Sequence, residues 1–161
     1  MSQHAQGLRV LLLPVSGDPD PWDLLLPASA VAEIVRAQPL EPPGSQAPPW
    51  LCGYLAWRGL RLPLVRPTAL AAAAGGRYAA VCFAPTAGPA TPFFAIESPG
   101  MPRLERVTPE TLSAATGDPA AVDPSFIQVE LRVLGRPAGL VDLEALQCAL
   151  QSASAASGEV R

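Results

Sequence analysis

Asp18, Asp20 and Asp23 are the densest gathering of groups that could move a proton, and paired carboxylates are what general acid–base catalysis needs. They stand among Ser16, Gly17, Pro19 and Pro21, a composition that reverses the chain, so they read as solvated turn residues. Nucleophilic chemistry lacks a base. The one histidine, His4, lies in a polar lead, where it cannot readily activate a Ser or Cys or join several metal ligands. All 11 basic residues are Arg, which excludes a Schiff base, a catalytic amine and a phosphate-loop lysine. Ala71 to Gly76 (AAAAGG) accordingly lacks the Gly-Lys-Ser/Thr end of such a loop. Cys52, Cys82 and Cys148 are odd in number and widely spaced, and they read as buried or half-buried free thiols in a reducing compartment. The residues describe a chain that is not an enzyme and holds no cofactor or metal.

The most distinctive spacing is in Leu51 to Leu70, LCGYLAWRGLRLPLVRPTAL. An apolar run reaches Trp57, Arg58-Gly59 follows, and Leu60 to Val65 returns as an apolar segment. This predicts a β-hairpin with Arg58 at its bend, where Gly59 can take a positive φ at low cost. Trp22, Trp50 and Trp57 each suit core packing. Trp57 beside Arg58 is the best candidate for an aromatic–guanidinium surface of the kind that dominates protein interfaces.

The elements that position this corner are short. Pro and Gly, 20 and 13 in number, supply about a fifth of 161 residues, while 49% of the chain is hydrophobic. That predicts one packed domain, or two small subdomains sharing a core, made of many brief strands. Leu8–Val15 and Trp22–Leu26 read as paired strands. Ala28–Ala37 fits a helical face or, with its β-branched residues, a turn passing into a strand over Val31–Arg36. A proline-rich loop spans Gln38–Pro49. Pro67–Ala74 has the content of a short central helix ended by Gly75-Gly76. Arg77–Ala84, Phe93–Glu97 and Arg103–Val107 are further strands, with a type II turn at Ser98-Pro99-Gly100 and a turn or single helical turn at Thr108-Pro109-Glu110. Ser113–Pro124 reads as loop. Ile127, Val129, Leu131 and Val133 alternate with polar residues as in an amphipathic strand. Gly135-Arg136-Pro137 turns the chain, Ala138–Val141 returns, and Asp142 caps a helix to about Leu150, after which the chain frays from Ser152. The sum is mainly β, of β-barrel type, with a short central helix and a C-terminal helix. Leu55–Val65 and Val133–Val141 echo one another, each a Gly-containing corner followed by an apolar strand.

The net charge of −3 gives no reason to expect nucleic acid or an anionic membrane as partner. The N-terminal MSQHAQGLR lacks the pattern of a secretory signal, and Ala69–Ala84 is broken by Gly75, Gly76 and Arg77, so membrane insertion is not expected and the location reads as cytoplasmic.

Taken in order, the paired N-terminal strands, Val31-Ala32-Glu33-Ile34, the proline-rich loop, Gly53 to Arg58-Gly59, Leu62-Pro63-Leu64-Val65 and the closing Leu140-Val141-Asp142-Leu143 resemble the CheW-like family of chemotaxis coupling proteins. The resemblance covers about Leu8 to Leu150. It implies two small five-stranded, SH3-like β-barrel subdomains over residues 8–150, between flexible ends at 1–7 and 151–161. It also implies a non-enzymatic adaptor between the cytoplasmic tip of methyl-accepting chemoreceptors and the regulatory domain of a CheA-type histidine kinase. Carried over by position, Val31, Glu33, Trp57 and Arg58 would face the receptor, and Gly53, Gly59 and Pro63 would be geometric. Arg66-Pro67 departs from the Asp-Leu usual in the family, which puts kinase binding in its usual form in question. Trp57 before Arg58-Gly59 is similar to the divergent ChpC kind of twitching-motility (type IV pilus) systems. The alternative reading is a small-ligand-binding or accessory β-barrel module of an enzyme complex, its pocket lined by Tyr54, Trp57 and Phe83.

Overall fold

The computed structural model describes residues 7–16, 21–36, 41–67, 78–86, 92–114 and 126–158. Its strands are β1 (Leu8–Ser16), β2 (Trp22–Pro27), β3 (Val31–Arg36), β4 (Leu51–Trp57), β5 (Leu60–Val65), β6 (Tyr78–Phe83), β7 (Phe93–Ser98), β8 (Arg103–Val107), β9 (Leu112–Ala114), β10 (Ile127–Val133) and β11 (Arg136–Val141), followed by helix α1 (Leu143–Gly158). Single 3₁₀ turns at Ala28–Ala30 and Pro109–Thr111 lead into β3 and β9. The expected mainly-β architecture holds. Of the expected central helix, all but Pro67 lies outside the described residues. No helix among the described residues is long and apolar enough to cross a membrane.

Two sheets form, in the orders β8-β1-β2-β11-β10-β9 and β3-β6-β7-β5-β4. The first five strands of one repeat the pattern of the other: two antiparallel pairings, one parallel, one antiparallel. The echo between Leu55–Val65 and Val133–Val141 is thus a repeat of topology. β5 runs parallel to β7 as β11 runs parallel to β2. Both hairpins close with two residues of positive φ, Arg58 at +48° and Gly59 at +77°, Leu134 at +51° and Gly135 at +81°. Two such residues in succession make a type I′ turn, whose twist matches that of the strands it joins. Because β1 and β2 complete a sheet with β8 to β11, the two ends of the chain meet in one half. The first sheet gains a sixth strand, β9, whose Ser113 and Ala114 the sequence suggested were loop. Its counterpart in the second sheet is the single bridge from Glu41 to Tyr54.

Three clusters of buried residues explain why so many strands read as unbroken apolar runs. Along β6, Ala79 and Val81 enter a core inside the second sheet, while Ala80 and Cys82 enter the central core. Along β1, Val10 and Leu12 face a core inside the first sheet and Leu13 faces the centre. Both faces are buried, so both parities are apolar. The central core takes Leu24 and Leu26 from β2, Phe94 and Ile96 from β7, and Leu146 from α1, all at most 2% exposed. Each such side chain stabilises the fold by roughly 1.5–3 kcal/mol.

Helix α1 starts as expected, with the Asp142 carboxylate accepting the Ala145 N–H at 3.0 Å. It extends to Gly158, beyond the expected end, because the Ala and Ser residues after Leu150 offer no apolar stripe yet include the best helix former. The alternation expected along β10 fails at one end. The register slips between Ile127 and Val129, and Val129 is left exposed. Gly100 lacks the positive φ of a type II turn. A Cβ there would meet Pro14 Cγ at 2.8 Å, so glycine is required by close approach.

Candidate functional site

The type I′ turn places Arg58 at the tip of the β4–β5 hairpin in a backbone region that costs an L-residue roughly 1–2 kcal/mol. Its guanidinium turns back toward β3. One oxygen of Glu33, Oε2, accepts the Trp57 Nε1–H at 2.9 Å and the Arg58 Nη2–H at 3.1 Å. Strands β3 and β4 are the two edges of the second sheet, so this shared oxygen marks where the sheet curls until its edges meet. That is the barrel closure which the strand order alone does not reveal.

The three groups differ in exposure. Trp57 is buried with its ring in the inner core of the second sheet, while the Arg58 and Glu33 side chains are 69% and 40% exposed. The Arg58 Cζ lies 4.9 Å from the Trp57 ring centroid. On its other side Trp57 meets Phe93 edge-on at 4.9 Å, and Phe93 leans on Phe83 at 5.4 Å. Phe83 is 47% exposed and Leu60, opposite Trp57 across the hairpin, is also exposed. The result is an aromatic row leading from the core to the surface, rimmed by one cation and one carboxylate. The exposed ion pair contributes at most about 1 kcal/mol. The indole bond to a carboxylate, in more buried surroundings, is worth roughly 1.5–3 kcal/mol.

Of the residues singled out in the sequence, Glu33, Trp57 and Arg58 come together. Val31 does not join them: the register slips between Val31 and Glu33, and Val31 packs half-buried against the central core. Gly59 has its turn role. Gly53 is buried with φ +146° at the slip in register between Leu51 and Gly53. Pro63 stands opposite Tyr54, one residue before the parallel pairing with β7 begins at Leu64. Tyr54, Trp57 and Phe83 do not form the shared pocket of the alternative reading. Tyr54 lies under Arg61, whose Cζ is 3.5 Å from its ring centroid, Trp57 fills a core, and Phe83 faces outward. A cleft beside α1 is lined instead by Pro63, Phe93, Phe94, Gln147 and Leu150, among others.

Two charged clusters went unread in the sequence. Asp23 is a correction: it is 1% exposed, inside β2, and its Oδ2 accepts from Arg103 Nη2 at 3.1 Å and Arg136 Nε at 3.3 Å. Asp18 and Asp20 lie outside the described residues. The second cluster explains the departure at Arg66. Its guanidinium holds Glu97, 5% exposed in β7, through Nε to Oε2 and through Nη2 to Oε1 at 3.1 Å. Cys52 donates to the same carboxylate at 3.8 Å, and burial, with Glu97 beside it, pushes its thiol up to about 11. Burial alone pushes the Cys82 thiol up to about 12. All three thiols are free, but Cys148 is exposed on α1, contrary to the burial expected. Among the described residues, no three His, Cys, Asp or Glu side chains gather as a metal ion would need.

No protein-family profile and no curated protein sequence matches the chain. A solved structure does: the crystal structure of the scaffolding protein TtCheW from Thermoanaerobacter tengcongensis superposes with a TM-score of 0.66 over 91% of each chain, at 10% sequence identity. The likeness is one of fold.

Proposed function

We propose that this protein is a non-enzymatic signalling adaptor that couples chemoreceptors to a CheA-type histidine kinase, with the Glu33, Trp57 and Arg58 corner as its receptor-facing element. The observation that carries the reading is how the corner uses its polar groups. Glu33 Oε2 is taken up in holding Trp57 and Arg58, so what faces outward is Phe83, Leu60 and a guanidinium, with the rest of the Glu33 carboxylate at their rim. Aromatic and Arg side chains on a rigid support make a protein-binding surface. Such an arrangement offers no activated nucleophile and no proton relay. The shared fold with a scaffolding protein supports the same class, and Val31 acts from beneath, by seating β3 on the central core.

Finer assignments follow the same reading. The partners are the cytoplasmic tip of a methyl-accepting chemoreceptor and the regulatory domain of the kinase, and the protein works in the cytoplasm. Trp57 directly before Arg58-Gly59 aligns it with the ChpC kind of adaptor in type IV pilus (twitching motility) signalling. Arg66 is spoken for by Glu97, so the family's Asp-Leu at this point is replaced by a structural ion pair, and kinase contact falls elsewhere. Titration calorimetry against the kinase regulatory domain tests the coupling. Micromolar or tighter binding, unchanged in Arg58→Ala, is the expected result; no binding in either protein would remove the kinase from the account.

A further inference from the structure

The repeat of topology allows positions in the two halves to be matched residue by residue. Counting from the hairpin glycines, Leu134 corresponds to Arg58 and Arg136 to Leu60. The parallel pairs Leu140↔Leu25 and Leu64↔Ala95 set β2 on β7, which puts Asp23 where the second half has Phe93. The pairs Leu25↔Leu12 and Ala95↔Val81 carry the match across to β1 and β6. From there Leu12↔Arg103 and Val81↔Glu33 place Arg103 at the position of Glu33. The first half therefore has its own corner at the equivalent place, with different chemistry.

That corner carries two features its own half does not explain. Leu134 is a large apolar residue held at φ +51°, a conformation that costs an L-residue energy, and yet it is 56% exposed. Its backbone N–H is fixed to the Thr111 carbonyl at 2.9 Å, which sets Leu134 beside Leu112, the partner of Val133 and itself 37% exposed. Around these leucines the charge is unbalanced. Among the described residues, Arg103 and Arg136, with side chains 43% and 41% exposed, share a single oxygen of one buried carboxylate, and Arg132 donates its Nη1–H to the Gly135 carbonyl at 3.0 Å beside the Leu134 tip, so three guanidinium charges stand against one carboxylate. The acid of the adjoining turn, Glu110, has its carboxyl held below the ordinary value by the Thr108 side chain, so it stays ionised and offsets one of these charges, leaving one in excess.

We infer that the Leu134 tip with Arg103 and Arg136 is a second docking surface, for a protein segment that presents an apolar side chain flanked by carboxylates. Leu134 and Leu112 supply the apolar contact, and the excess guanidinium charge selects acidic over basic flanks. The surface lies on the other sheet from the Glu33 corner and stands whether or not that corner faces a receptor.

Selection of a random-peptide phage library on the immobilised protein tests this, with Leu134→Gly as counter-selection. Glycine suits φ +51° better than leucine, so Leu134→Gly is expected to raise the melting temperature while weakening binding of the selected peptides about tenfold or more. The enriched peptides are expected to combine Asp or Glu with Leu, Ile or Phe, to bind Arg136→Gln less tightly, and to bind Arg58→Ala unchanged. A melting temperature lowered by Leu134→Gly would make the leucine structural and overturn the inference. So would peptides enriched without acidic residues, no enrichment over the variant, or self-association of the protein that Leu134→Gly abolishes, which would make the occupant a second copy.

Discussion

Glu33 and Trp57 stand on the two opposite edge strands of one sheet, 24 residues apart, and are joined by a 2.9 Å bond from the indole N–H to a carboxylate oxygen. The bond does two things at once: it closes the sheet upon itself and fixes the platform on which Arg58 is displayed.

Removing the acceptor leaves a buried indole N–H without a partner. Glu33→Ala should therefore cost about 1–3 kcal/mol in urea unfolding, and Glu33→Gln clearly less, because its amide oxygen can still accept. Arg58→Ala, which removes only the exposed part of the cluster, should cost under about 1 kcal/mol. Equal losses in Glu33→Ala and Arg58→Ala would mean that the indole bond does not close the sheet.

Arg58 sits in a type I′ turn at a position that favours Asn. Arg58→Asn should stabilise the protein by about 0.5–1 kcal/mol in thermal unfolding while weakening receptor binding. A variant that gains stability and keeps full binding would show that Arg58 faces no partner.

The ion pair between Arg66 and Glu97 should behave asymmetrically. Arg66→Met takes a bidentate guanidinium away from a buried carboxylate and should cost about 3 kcal/mol. Adding Glu97→Leu to Arg66→Met should recover most of that loss. Chemical denaturation of the single and double variants decides it, and an additive second loss would show that the pair is not what neutralises Glu97.

The thiols should react in a fixed order. Cys148 is exposed and should be labelled first by a thiol reagent, Cys52 slowly, and Cys82 only on unfolding. As the pH is raised, labelling of Cys52 should go on rising about tenfold per unit past pH 9 without levelling off, since its thiol is held up to about 11. The linkage runs with the same sign. The folded state keeps this proton when the unfolded chain has lost it, so stability falls as pH rises through the ordinary thiol value toward 11. Mass spectrometry of alkylated peptides, with unfolding followed over that range, checks both points.

Much of the fold was legible because burial on two faces leaves a plain mark. Stretches such as Val10–Leu13 and Leu62–Val65 are apolar at every parity and read directly as strands. The hairpin at Arg58-Gly59 was legible because turn chemistry is local. Slips in register were not. They turn Val31 away from Glu33 and Val129 out to solvent, and they depend on pairing with a distant strand. Asp23 misled for a similar reason: its neighbours are turn formers, whereas its burial is decided by Arg103 and Arg136, 80 and 113 residues away. The departure at Arg66 was visible in the sequence, but its cause, a carboxylate 31 residues on, was not.

The central claim is that the Glu33, Trp57 and Arg58 corner binds a receptor. Titration calorimetry of a chemoreceptor cytoplasmic-tip fragment into the wild-type protein and into Arg58→Ala tests it most directly. The account predicts binding in the micromolar range for the wild type and about tenfold weaker binding for the variant, with its fold intact by circular dichroism. The same affinity in both proteins, or no binding to the wild type, would contradict it.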